Sequence, residues 1–213
     1  MTSPRQPADL ARAQRSGVDR FEAHYAGRPG AGWEISRPQP RFAELAGQGE
    51  FRGRVLDVGC GTGDNALLTA AMGLDTTGVD AAPTGIAIAA SKASERGLAA
   101  RFLVYDVLDL AMLGECFDTV LDCGLFHCFT DEDRPALVES LRAVTPEGGR
   151  YFMMCFSDRE PGTWGPRRVR RAEIEDSFAV GWQIDRLERT TMAVAFEPGT
   201  AAAWFAAMTR TAS

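Results

Sequence analysis

Short apolar runs alternate along this chain with stretches whose apolar positions recur every three or four residues, the pattern of strands and helices taken in turn. Val55, Leu56 and Val58 begin the series, and residues 64–72 then read as a helix that Gly73 ends. A second strand is predicted over 75–80, a helix from Pro83 to Arg96 closed by Gly97, and a third strand over 100–105. A fourth strand covers 117–122. The acidic run Thr130-Asp131-Glu132-Asp133 suits a helix start, and Leu137, Val138, Leu141 and Val144 fall on one face before Pro146-Glu147-Gly148-Gly149 stops that helix. Residues 150–156 are apolar throughout, as a strand buried on both faces should be. A short helix is expected over 173–178 and a strand over 182–191, whereas 201–209 fits a strand or a short helix equally. Strand and helix alternating, then strands without a long helix between them, predict an α/β fold with a right-handed, doubly wound, mostly parallel sheet.

Two stretches break this rhythm. Ahead of the first strand, residues 1–16 are expected to form a mobile arm, and 17–45 a lid that begins with Phe21 and Tyr25 on one helical face. Gly27, Pro29, Gly30 and Gly32 interrupt that helix, and residues 33–42, carrying Pro38 and Pro40, read as a stiff loop. After the fifth strand, residues 157–178 form an insertion whose irregular part holds Trp164. The remaining span, 17–213, is read as one domain.

Composition narrows the function classes. With 213 residues the chain can bury one full core. A net charge of -6 argues against broad capture of nucleic acid or acidic membrane. The basic run Arg167-Arg168-Val169-Arg170-Arg171 is followed by Glu173, Glu175 and Asp176, which reads as a solvated mixed-sign face. Five cysteines lack any C-x-x-C pair, so neither disulfides nor a metal site is expected. The first residues lack the apolar core of a signal peptide and no run is long enough to span a bilayer, so a cytoplasmic protein, monomer or homodimer, is expected.

The chemistry concentrates where the first strand ends. Asp57-Val58-Gly59-Cys60-Gly61-Thr62-Gly63 gives strand, glycine turn, helix, an arrangement that lets a ligand lie against bare main chain beside free helix N–H groups. A dinucleotide fingerprint needs a small residue where Asp64 stands; a carboxylate there would repel a pyrophosphate but not a ligand bearing an ammonium and a sulfonium. Asp57 adds a second negative group. Asp80, about twenty residues beyond the glycines and at the tip of the second strand, suits a ribose, although it also suits a helix N-cap.

The D-x-G-x-G-x-G pattern closely resembles motif I of the class I S-adenosylmethionine-dependent methyltransferases. The lead-in Trp33-Glu34-Ile35-Ser36-Arg37-Pro38-Gln39-Pro40 resembles a branch of small-molecule methyltransferases related to the thiopurine and tellurite-resistance types. The resemblance implies a seven-stranded sheet whose last strand is antiparallel, with S-adenosyl-L-methionine as cofactor. It implies cofactor contacts from Gly59, Cys60, Gly61, Asp80 and Ala81. Asp106 and Val107 would meet the adenine, with Asp109 as the alternative. Backbone carbonyls at Cys123 and Gly124 would accept the ammonium, and Trp33 and Gln39 would form part of the lid.

The acceptor side follows the fourth strand. His127 is the candidate catalytic base because its ordinary pKa lies near neutrality, with packing between Phe126 and Phe129 as the alternative. Tyr25, Phe126, His127 and Trp164 are the candidate substrate residues, with His24 a further proton acceptor on the lid side. These suggest a small aromatic or heteroaromatic methyl acceptor. A nicotinamide oxidoreductase and a non-catalytic nucleoside-binding subunit are the competing readings.

Overall fold

The computed structural model describes residues 18–25 and 32–212; the arm expected over 1–16 lies outside them. Two helices come first, α1 (Val18–Tyr25) and α2 (Pro40–Gly47). Then follow β1 (Arg54–Val58), α3 (Asp64–Ala71), β2 (Asp75–Asp80), α4 (Pro83–Arg96) and β3 (Ala100–Val104). A kinked 3-10 segment (Val107–Leu113) leads to β4 (Thr119–Cys123), and a single 3-10 turn (Phe126–Cys128) leads to α5 (Arg134–Val144) and β5 (Arg150–Phe156). The chain finishes with α6 (Arg171–Ser177), β6 (Trp182–Ala193) and β7 (Thr200–Arg210). Among the described residues no helix is long and apolar enough to cross a membrane.

The seven strands form one sheet in the order β3-β2-β1-β4-β5-β7-β6. Strands β1 to β5 are mutually parallel, and β7 runs antiparallel to both β5 and β6. The segment that read as strand or helix is therefore strand. Its Ala, Phe and Trp residues are buried between two neighbours, where a helix would have left the edge of β5 unpaired. One expectation fails at the lead-in: the loop ends at Gln39, and Pro40 opens α2. Proline's fixed φ and missing N–H suit the first helical position, and Phe42 and Leu45 bury the helix face.

Each central strand is buried on both sides, yet the period of two still divides its residues. Tyr151, Met153 and Cys155 join Leu56 and Val58 in a core beneath α5 and α6, while Phe152 and Met154 join Val55, Phe42 and Leu45 on the face covered by α2. Because the five parallel strands point one way, their carboxyl ends meet along a single edge of the sheet, where ligands of open α/β sheets bind.

Candidate active site

Backbone geometry builds the first wall. Gly59, Gly61 and Gly63 have φ of 65°, 53° and 82°, a region L side chains rarely enter. The Cys60 N–H donates to the Val79 carbonyl at 3.0 Å, which ties the loop to β2. Asp80 then receives the Gly61 N–H on Oδ2 at 2.9 Å and the Ala82 N–H on Oδ1 at 2.8 Å. One carboxylate thus fixes both the glycine turn and the start of α4. The cap of α4 is Ala82 and not Asp80, which holds that residue through its N–H and keeps a second lone pair on each oxygen. Burial raises the Asp80 pKa, against the pull of these amides.

The second wall comes from the ends of β3 and β4. Asp106 accepts the Leu108 N–H at 2.9 Å and so caps the 3-10 turn that begins with Val107. Asp109 is absent from the cavity lining, whereas Asp106 and Val107 are part of it. Beyond β4, buried Asp122 accepts the Leu125 N–H at 2.8 Å, the Phe126 N–H at 3.1 Å and the Tyr151 hydroxyl at 2.7 Å. Burial outweighs those donors and pushes its pKa up to about 7. These bonds hold the turn that presents Cys123, Gly124 and His127.

The lead-in supplies the third wall. Trp33 Nε1 donates to the Tyr25 hydroxyl at 3.1 Å, and the Trp33 ring meets Phe21 and His24 with centroids 5.7 and 4.9 Å apart. Glu22 accepts the Thr84 N–H at 3.1 Å, which seats α1 on the first turn of α4. Gln39 is a clip: its side chain donates to the Ala193 carbonyl at 3.0 Å and accepts the Ala193 N–H at 2.9 Å, as one more strand residue beside β6 would.

One cavity of about 860 Å³ joins these walls. Gly59, Cys60, Gly61, Asp80 and Ala81 line it, as do Asp106, Val107 and Cys123. Tyr25, Trp33, His127 and Trp164 line it too. Two candidates fall elsewhere. Phe126 is fully buried among Phe178 and Arg134, because the 3-10 turn directs it into the core while its neighbour His127 faces the cavity. Asp57 lies on the face of β1 toward α3 and is absent from the lining; its carboxylate is buried, and burial, against the pull of the Ala66 backbone N–H, holds its pKa well above the ordinary value.

His127 is also corrected as a base. Its Nδ1 accepts the Phe156 N–H at 2.9 Å, which leaves the proton on Nε2 and no free lone pair. Burial lowers its pKa to about 3, the Arg168 guanidinium adding to the fall and the Gly124 backbone opposing it. The ring is therefore neutral at physiological pH. Between its ordinary value and about 3 the unfolded chain binds a proton here that the folded chain does not, so this group's contribution to stability is lost as pH falls through that window.

Sequence reasoning also missed the compensation of Asp64. Its carboxylate pairs with Lys92, the chain's single lysine, at 2.7 Å, and Lys92 bonds Thr62 at 2.7 Å. Glu34 bonds the same Thr62 hydroxyl. Asp64 therefore does not present a bare charge to a ligand, and the argument from pyrophosphate repulsion weakens. Among the lining side chains, Arg37 is a cation without a described ion-pair or hydrogen-bond partner, and Glu34, Asp80 and Asp106 line the same cavity. Met192, Val194 and Phe196, from the end of β6 and its turn, were not anticipated because their place at the cavity depends on the long β6–β7 hairpin.

Residues 55–149 match the family model described as a methyltransferase domain. A 2-heptyl-1-hydroxyquinolin-4(1H)-one methyltransferase of Mycobacteroides abscessus is 34% identical over 178 residues, covering 78% of this chain and 78% of its own length. A solved structure described as the conversion of a disulfide bond into a thioacetal group during echinomycin biosynthesis superposes with a TM-score of 0.84 at 32% identity, over 91% of this chain and 93% of that one. A magnesium protoporphyrin IX methyltransferase from Synechocystis, solved with bound S-adenosylmethionine, shares the fold at a TM-score of 0.65 and 20% identity, covering 99% and 100% of the two chains.

Proposed function

This chain belongs to the S-adenosylmethionine-dependent methyltransferase family, and from that premise we propose that it methylates an oxygen, nitrogen or sulfur atom of a small aromatic or heteroaromatic acceptor. The observation that carries the reading is a single cavity whose polar end is the glycine turn with Asp80 and Asp106, and whose other residues include Trp33, Trp164, Met192, Val194 and Phe196. A nucleoside fits the first set and a flat apolar molecule the second.

The chain's own residues suit the cofactor. A Cβ at Gly61 would stand 2.7 Å from the Tyr25 hydroxyl, so only glycine leaves the space between the turn and the lid. Asp80 offers two free lone pairs to vicinal ribose hydroxyls, Asp106 and Val107 offer an acceptor and an N–H to adenine, and Arg37 offers a cation to the carboxylate of the amino-acid tail. When bound, S-adenosylmethionine supplies an electrophilic methyl group on a sulfonium. What the protein adds is alignment and exclusion of water: Trp33 and Tyr25 cover the turn, and Trp164 and Phe196 form an apolar wall for the acceptor. Such positioning can be worth about 7–11 kcal/mol.

No general base is assigned. His127 acts as a neutral bracket that joins the end of β5 to the turn after β4. His127→Asn, whose Oδ1 can still accept the Phe156 N–H, is expected to lower kcat by less than about tenfold. The kcat profiles of the parent enzyme and of His127→Asn are expected to have the same shape between about pH 5.5 and 8. A loss on the order of a thousandfold in His127→Asn would restore the base.

The acceptor class is tested by mass spectrometry of mixtures containing S-adenosylmethionine and a panel of hydroxyquinolones, phenols, thiols and amines. The panel begins with 2-heptyl-1-hydroxyquinolin-4(1H)-one, the compound named for the Mycobacteroides relative. Methylation of aromatic members is the expected result. Turnover confined to aliphatic acceptors would refute the proposal, and intact S-adenosylhomocysteine binding without any turnover would favour a non-catalytic subunit.

A further inference from the structure

We propose that Arg168 is the positioning residue that makes the acceptor wall, because the loop over 158–166 is folded around its guanidinium and carries Trp164 to the cavity. The proposal rests on the aromatic-acceptor reading above. An arginine side chain has five N–H donors in one plane and no acceptor. All five directions are met by backbone carbonyls. Nε donates to Glu160 at 3.1 Å, Nη1 to Trp164 at 2.7 Å and Pro166 at 2.6 Å, and Nη2 to Pro161 at 3.1 Å and Gly162 at 3.3 Å.

The company it keeps sets Arg168 apart from the rest of its basic run. Arg167 pairs with Asp131 and Glu173, Arg170 with Glu173, and Arg171 with Glu175. Those three make the mixed-sign face that the sequence predicts. Arg168 instead directs its charge into a loop that has no helix or strand of its own, and supplies the donors that its inward-turned carbonyls would otherwise take from water. The loop is closed at its base, where the Asp158 N–H reaches the Val169 carbonyl at 2.9 Å and the Val169 N–H reaches the Phe156 carbonyl at 3.0 Å.

Aromatic contacts carry this order to the cavity. The guanidinium carbon lies 5.2 Å from the Trp164 ring centroid and 5.4 Å from that of Phe156. Trp164 in turn meets Phe156 edge-on at 5.2 Å and Phe196 at 4.5 Å. Gly162 and Gly165, at φ of 73° and 71°, permit the bends on either side of Trp164. Without the central cation the carbonyls have no shared donor, and the glycine bends and the Glu160 carboxylate bonded to the Ala202 N–H are left to hold the loop. A lysine cannot replace it, because three donors on a point charge do not match five carbonyls spread around a plane.

The test compares full-length parent, Arg168→Lys and Arg168→Gln by three readouts. Hydrogen exchange at the bonded Asp158, Glu160 and Val169 amides is expected to quicken on the order of a hundredfold in both variants. S-adenosylhomocysteine affinity by calorimetry is expected to stay within about twofold, whereas KM for 2-heptyl-1-hydroxyquinolin-4(1H)-one rises at least about tenfold with a smaller change in kcat. Parent-like exchange and KM in Arg168→Lys would overturn the proposal, as would an equal loss of cofactor affinity. Should the parent not turn over the quinolone, that acceptor assignment falls by itself, and the exchange data still decide: a loosened loop with intact cofactor affinity supports the positioning role, and an unchanged loop overturns it.

Discussion

Asp80→Ala is expected to raise the dissociation constant for S-adenosylhomocysteine by on the order of a thousandfold while the protein stays folded. Two losses add. On the proposed assignment the ribose would lose a charged acceptor for each of two hydroxyls, at about 1.5–3 kcal/mol per hydrogen bond to an ionised group. The glycine turn also keeps only its backbone tie to β2 from Cys60 to Val79, since the Gly61 and Ala82 amides both end on this one carboxylate. Asp80→Asn separates the two effects. Its single carbonyl oxygen can serve only one of the two amides, and its NH₂ group faces the other as donor to donor, so it is expected to recover only a small part of the affinity. Calorimetric titration of the three proteins, with thermal melts to confirm folding, is decisive. An Asp80→Ala variant that binds the nucleoside within about threefold of the parent would remove the ribose assignment.

That Asp80 ends a strand at the cavity as expected, while the His127 lone pair is taken and Phe126 turns into the core, has a common physical explanation. Asp80 ends β2, and its partners are the Ala82 N–H two residues on and the Gly61 N–H in the turn after the paired strand β1, so a single strand–turn–helix–strand unit places it. The role of His127 is decided by a backbone amide on β5, which only the folded sheet brings to Nδ1. Phe126 and His127 are adjacent aromatic rings beside a strand end, and the 3-10 turn that sends one inward and the other to the cavity leaves no periodic mark in three residues. Asp64 shows the same limit in electrostatics. Its charge was readable, but the lysine that offsets it projects from α4. Strands β1 to β5 and helices α3, α4 and α5 were legible because each carries its own apolar period and terminators. The lead-in and the insertion were not, because their order comes from Gln39 bonding across to Ala193 and from Arg168 gathering carbonyls.

Gly63→Ala is expected to destabilise the fold by about 2–5 kcal/mol, and this separates the three glycines of the turn by what they do. At φ of 82° an alanine is strained by roughly 1–2 kcal/mol. The added Cβ would also stand 2.7 Å from the Ala89 Cβ and 2.9 Å from the Phe102 ring, and forcing a methyl into packed surroundings costs about 1–3 kcal/mol more. Ala89 lies on α4 and Phe102 on β3, so Gly63 is where α4 and β3 close on the start of α3. Gly97→Ala is the control. Its φ of 63° imposes the same kind of strain, yet no atom lies within 4 Å of the new Cβ, and a loss of only about 1–2 kcal/mol is expected. Urea midpoints of the two variants give the difference directly. Equal losses would mean that backbone strain alone explains the third glycine. A larger loss in Gly63→Ala would mean that the packing of α4 and β3 against the turn needs the third glycine, which brings helix and sheet close enough that Asp80 and the turn meet at the sheet edge.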